Sequence, residues 1–118
     1  MPTANDFPPL TPAVLHILLV LADGDRHGYA IAQEVEMLTG GSVRMGPGTL
    51  YGSIRRMSAD GVIAEAPRRR HAIADDDRRR YYRLTALGRR VLDLELQRLT
   101  AVVLRARRRR LIRTAAPA

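Results

Sequence analysis

Between Thr11 and Ala22 the chain is apolar at nearly every position. Leu15, Leu18, Leu19 and Ala22 fall on one helical face, and Val14, Ile17 and Leu21 on a second. A helix apolar almost all round is buried on more than one side. In so short a chain, that predicts a core on one face and a partner subunit on the other. Thr11-Pro12 starts this helix, since threonine is a favoured N-cap and proline loses nothing at the first helical position. Asp23-Gly24-Asp25 breaks it. A second helix is predicted from Gly28 to Thr39, with Ile31, Val35 and Leu38 inward and Tyr29, Gln33 and Glu36 outward; Gly40-Gly41 ends it. A third runs from Gly46-Pro47 to Asp60-Gly61. Its inward set is Leu50, Ile54 and Met57, and its outward set is Thr49, Tyr51, Gly52, Ser53, Arg55 and Arg56.

After Gly61 the pattern becomes extended, first over Val62 to Ala66 and then over Arg80 to Leu84, which contains the β-favouring pair Tyr81-Tyr82. The polar stretch Pro67 to Arg79 joins the two as the loop of a hairpin. Thr85 caps a last, long helix in which Leu92, Leu96, Leu99, Val103 and Ala106 recur at heptad spacing. Three helices followed by a two-stranded hairpin form a winged helix-turn-helix, with the third helix as reader and the hairpin as wing. The expected fold is therefore mainly α with a small β-hairpin, plus a long C-terminal helix. Residues 1–9 form a flexible lead, 10–84 the winged helix-turn-helix, 85–113 a dimerisation helix and 114–118 a disordered tail. The dimer surface expected from the two helices is Val14, Ile17 and Leu21 with Leu92, Leu96, Leu99 and Val103.

Composition narrows the chemistry. The 118 residues contain 20 basic side chains, all arginine, against 12 acids, for a net charge of +8. The absence of lysine is equally the mark of a GC-rich genome. Residues 1–66 hold four Arg and seven acids, a balance of −3, whereas residues 67–118 hold sixteen Arg and five acids, a balance of +11. An excess of this size points to a polyanionic partner, nucleic acid before membrane. With no cysteine there is no disulfide framework, thiolate metal site or thiol nucleophile. His16, His27 and His71 share no metal-ligand spacing and suggest no Ser–His–Asp arrangement, so neither an enzyme nor a metal or other cofactor is expected. The apolar run Ala13 to Ala22 is ten residues, well short of the ~20 that cross a bilayer. The first ten residues carry Asp6 and no basic cluster, so the chain reads as soluble and cytoplasmic, without a membrane partner.

At this point the residues resemble a known family. LTPAVLHILLVLADGDRHGYAIAQEV, GPGTLYGSIRRMSADGVI and RRRYYRLTALGRRVL are similar to the PadR family of bacterial transcriptional regulators, over roughly Leu10 to Leu92. The specific parts are His27-Gly28-Tyr29, Gly48-Thr49-Leu50-Tyr51, Gly61 with Ile63, and Tyr82-Arg83-Leu84-Thr85 with Gly88. The resemblance implies a homodimeric repressor on double-stranded operator DNA, paired through its first and last helices; the length fits the form with one short C-terminal helix. It also implies a small hydrophobic or aromatic effector near the dimer interface, although the chain offers only five aromatic rings and no tryptophan. By the same resemblance Tyr29 reaches a phosphate, and Thr49 and Tyr51 lie at the start of the reader helix. Leu50, Ile63, Leu84 and Gly88 read instead as core and close-packing positions.

The DNA-facing set expected from these arguments is Tyr29, Thr49, Tyr51, Ser53, Arg55 and Arg56, joined from the wing by Arg68, Arg69, Arg70, Arg79 and Arg80. Six arginines (Arg68 to Arg70 and Arg78 to Arg80) flank Asp75, Asp76 and Asp77 in the wing loop. They either lie along a phosphate backbone or pair with the aspartates in a solvated loop. Arg105 and Arg107 to Arg110 complement the end of the last helix. Two other classes fit the same charge pattern: a nonspecific nucleic-acid binder, and a winged-helix module for protein interaction or dimerisation.

Overall fold

A computed structural model describes residues 3–67 and 80–112. Four α-helices and three short strands run in the order α1 (Pro12–Ala22), β1 (Arg26–His27), α2 (Gly28–Leu38), α3 (Pro47–Ala59), β2 (Ile63–Glu65), β3 (Tyr81–Leu84) and α4 (Ala86–Arg108). Side chains start most of the helices. The Thr11 hydroxyl accepts the Val14 N–H at 3.2 Å, and the Thr85 hydroxyl accepts the Gly88 N–H at 3.0 Å. The unusual cap is His27, whose Nδ1 accepts the Ala30 N–H at 3.2 Å to begin α2. Pro47 follows Gly46 at the first position of α3. Helices α1, α2 and α3 run out at Gly24, Gly40-Gly41 and Gly61, all at positive φ.

The sheet is antiparallel in the order β1-β3-β2, with Ile63 opposite Leu84 and Arg26 opposite Tyr82. The hairpin expected from the sequence is therefore two strands of three. The third is the pair Arg26–His27, too short to show any alternation. The other two strands are also trimmed at their ends, to Ile63–Glu65 and Tyr81–Leu84.

One core binds these elements: Ile17, Leu18, Val20, Leu21, Ile31, Val35, Leu50, Ile54, Met57, Val62, Ile63, Tyr82, Val91 and Leu92. Helix α1 is apolar all round because its own chain surrounds it, with α2, α4 and β3 all packed against it. Ile17 and Leu21, expected at a partner's surface, are buried here, and so is Leu92 at the start of the heptad seam. The correction has a simple cause: periodicity identifies an apolar face but not the surface that covers it. Leu38 is corrected in the other direction. It is 64% exposed, because the last turn of α2 overshoots the core that Ile31 and Val35 enter. Leu50, Ile63 and Gly88 are buried and Leu84 is half-buried, in line with their reading as packing positions.

Residues 3–9, part of the lead expected to be flexible, lie along α4. A short 3-10 turn over Ala4–Asp6 contacts that helix, and Phe7 and Leu10 pack against the core. Glu95, the one buried charged side chain among the described residues, holds them there. Its Oε2 accepts the Leu10 N–H at 2.8 Å, and Arg98 donates to both of its oxygens at 2.6 and 3.0 Å. The Arg98 bond, helped by the Leu10 amide and opposed by burial, holds the Glu95 carboxyl below its ordinary range. Residues 113–118, including the tail expected to be disordered, lie outside the described residues.

Two outcomes follow. A methyl group on Gly88 would run into the Val62 carbonyl, a backbone atom that cannot swing aside. Gly88→Ala should therefore cost about 3 kcal/mol or more in urea denaturation, at the upper end of overpacking effects. Glu95 is depressed in the folded state, so its stabilisation is complete above its unfolded pKa and is lost as pH falls through the folded one. The melting-temperature advantage of the wild type over Glu95→Gln should be present near neutral pH and shrink below the ordinary carboxylate range.

Candidate nucleic-acid interface

Helix α3 is seated by Leu50, Ile54 and Met57, so its far side is fixed toward solvent. The outermost line is Gly48, Gly52, Arg55 and Ala59, four positions at successive helical turns. Nothing lies within 4 Å of where a Gly48 Cβ would be, and only the tip of Arg55 reaches that distance at Gly52. Both glycines have ordinary helical φ. The fold thus requires neither, although an interior helical glycine costs about 0.5–1 kcal/mol relative to alanine.

The outward residues divide between the two flanks of this ridge. Tyr51, 42% exposed, turns toward α2, where its ring lies on Gly28. That contact joins the first turn of α2, carrying Tyr29 at 63% exposed, to α3. Ser53 turns the opposite way and is only half-exposed, because it faces a groove between α3 and residues 7–11. The groove holds about 190 Å³, with Val14, Leu18, Met57 and Val62 among its apolar lining and Ser53, Arg56 and Asp60 as its polar contribution from α3. Thr49, Arg55 and Arg56 are exposed, and neither arginine makes an ion pair among the described residues.

At the base of the wing, Arg80 is exposed next to β3. Buried Tyr82 lies in the middle strand, opposite Arg26 on one side and Glu65 on the other. Desolvation chiefly raises its phenol pKa, Glu65 and Tyr51 add to that, and Arg80 opposes it. Beside it, His27 and Tyr81 meet edge to face at 5.4 Å. Arg68, Arg69, Arg70, Arg78 and Arg79 lie outside the described residues. Thr49, Tyr51, Ser53, Arg55 and Arg56 thus share one helix, Tyr29 follows Gly28, on which the Tyr51 ring lies, and Arg80 stands exposed just before β3. Sequence reasoning missed Gly28 as the contact under Tyr51. Its signal is a glycine at a helix start where the backbone does not need one.

Among the described residues, no cluster of His, Asp and Glu is placed to hold a metal ion, and no helix is long and apolar enough to cross a membrane.

A mostly helical chain with this small antiparallel sheet, an outward third helix and a C-terminal helix is a winged helix-turn-helix. More particularly, the chain belongs to the transcriptional regulator PadR-like family, which residues 17–94 match. It is 40% identical over 78 residues to the transcriptional regulator Rv3488 of Mycobacterium tuberculosis, covering 66% of each chain. It is 36% identical over 83 residues to an uncharacterized 37.1 kDa protein in transposon TN4556 of Streptomyces fradiae; that match covers 70% of this chain but only 21% of the other. The chain thus spans about two thirds of the first relative and a fifth of the second. Among solved structures, Bacillus subtilis PadR in complex with operator DNA superimposes with a TM-score of 0.61 at 20% identity, over 75% of this chain and 48% of that one.

The open space around Gly52 gives a direct test of the ridge. Gly52→Ala should raise stability by roughly 0.5–1 kcal/mol in urea denaturation. A loss of stability would show that the fold itself needs the bare position.

Proposed function

We propose that this chain is a sequence-specific, DNA-binding transcriptional repressor that acts as a homodimer on a palindromic operator. The observation that carries the proposal is the outer ridge of α3: two glycines the fold does not require, next to Arg55 and Arg56, which make no ion pair among the described residues. A bare backbone ridge admits a close surface, and unpaired guanidinium groups suit phosphate oxygens and the edge of guanine. The operator-DNA complex of Bacillus subtilis PadR supports the same use of the fold.

In this reading α3 enters the major groove and Arg55 or Arg56 selects bases. Tyr29, Thr49, Tyr51 and Ser53 border the contact, and Arg68, Arg69, Arg70, Arg79 and Arg80 of the wing grip the backbone. The dimer forms through α1 and α4. With Ile17, Leu21 and Leu92 buried inside the chain, its surface falls to Val14, Leu96, Leu99 and Val103, where the exposed Val102 and Leu104 extend the apolar surface of α4. Two-fold symmetry then sets half-sites about one helical turn apart. The groove beside Ser53 and Arg56 supports release by a small hydrophobic or aromatic effector, since its apolar lining includes Val14 of the dimer surface. The protein works in the cytoplasm, with the DNA.

Selection of bound fragments from the native genome should recover an inverted repeat, with affinity falling as salt rises by about 0.9 logarithmic units per neutralised phosphate. On that DNA, Arg55→Ala should cost about 1–3 kcal/mol and relax the base preference, whereas Arg109→Ala should weaken all sequences alike. Equal, sequence-independent losses from both variants would favour a nonspecific binder. No DNA binding at all would favour a protein-interaction module.

A further inference from the structure

Gly28 occupies the first position of α2 at an ordinary φ, so its backbone does not call for glycine. Its neighbour does. A Cβ on Gly28 would stand 2.9 Å from both Cε1 and Oη of Tyr51 and 3.1 Å from Cζ, inside the space the ring occupies. The bare Cα is itself well anchored. His27, immediately before it, caps α2 through Nδ1, sits opposite Tyr81 in the sheet and meets that ring edge to face. Tyr51 starts from α3, one residue beyond the core anchor Leu50, and its far end lies across the start of α2 while 42% of the residue remains exposed.

We propose that Gly28 is a positioning residue for DNA binding: its bare Cα is the seat that fixes the Tyr51 ring, and with it the hydroxyl, at the flank of the reader helix. The proposal rests on the DNA-binding reading above. A side chain already ordered in the free protein does not lose rotamer freedom on binding, which is the advantage of pre-organisation. The seat also sets the spacing between the exposed Tyr29 on α2 and the ridge of α3, because the ring lies between the two helices.

The geometry separates this role from a purely structural one. The atoms that a Gly28 methyl would meet belong to the outer end of a half-exposed side chain, which can swing into solvent. Gly28→Ala should thus leave the melting temperature unchanged or raise it, as expected of alanine in a helix, while the Tyr51 ring loses its place.

Two measurements test this. Nuclear Overhauser contacts between the Tyr51 ring protons and the Gly28 Hα read the seat without DNA; they should be present in the wild type and in Tyr51→Phe. Titration with the genomic DNA selected by the wild type reads its purpose. Gly28→Ala should bind roughly three- to tenfold more weakly, the cost of ordering one side chain on binding. Tyr51→Ala should lose at least as much, and Gly28→Ala with Tyr51→Ala should lose no more than Tyr51→Ala alone. Gly28→Ala binding as tightly as wild type, or losses that add in the double variant, would overturn the positioning role and leave the regulator reading intact. A wild type that binds no DNA overturns the regulator reading and the positioning role with it, even where the Overhauser contacts are seen.

Discussion

The contact on which the orientation of α3 depends is the close approach of α4 to the backbone at the end of α3. Thr85 does three things at that junction. Its hydroxyl donates to the Gly61 carbonyl at 2.6 Å and accepts the Gly88 N–H at 3.0 Å, and its own N–H donates to the Val62 carbonyl at 3.2 Å. Gly88 completes the arrangement by having no side chain where Val62 presents its carbonyl. The turn after α3, the start of β2, the end of β3 and the first turn of α4 are therefore tied within a few residues. With Gly61 and Val62 fixed by α4, and Leu50, Ile54 and Met57 fixed by the core, α3 has little freedom to roll about its axis. What it shows to solvent is decided by the fold.

The same economy explains where the apolar surface goes. In so small a domain most of the hydrophobic residues must share one core, and α1 supplies its centre. The N-terminal segment extends that core, with Phe7 and Leu10 packed against it and Glu95 taking the backbone N–H of Leu10. Helix α4 belongs to the domain only through its first half. Val91 and Leu92 are buried, Leu96 and Leu99 half-buried, and Val102, Val103 and Leu104 exposed. This 23-residue helix leaves its own core and carries exposed apolar side chains beyond it; on the proposed reading a second copy covers them.

Much of this was legible in the sequence because it rests on local rules. The caps at Thr11 and Thr85, the proline starts at Pro12 and Pro47, and the inward triplet Leu50, Ile54 and Met57 each follow from a few neighbouring residues. What was not legible depends on distant pairing. Two residues, Arg26 and His27, carry no period, so the third strand becomes visible only when β3 is beside it. The covering of Ile17 and Leu21 by the chain's own helices, and the Tyr51 ring on Gly28, depend on segments brought together by folding. The outward set on α3 was correct in composition but not in arrangement, since it divides between a flank toward α2 and a flank toward the N-terminal segment.

The arginines show how the fold separates charges that composition adds together. Arg26, Arg44 and Arg98 are each matched to a glutamate, at Glu34, Glu36 and Glu95, with the shortest N–O distances at 3.0, 3.7 and 2.6 Å. Two of these pairs do local structural work, Arg26 at the start of α2 and Arg98 behind the N-terminal segment; the third is mostly solvated and contributes little. The net-negative first half thus commits two of its acids, Glu34 and Glu36, to arginines outside α3, while Arg55 and Arg56 make no ion pair among the described residues. Net charge there is misleading as a measure of what a polyanion would meet. A net-negative domain can still present arginines to a polyanion where they stand exposed on one helix, even with Asp60 at the end of that helix. On the proposed reading, the surplus in the second half supplies attraction at a distance, and the exposed arginines of α3 supply orientation.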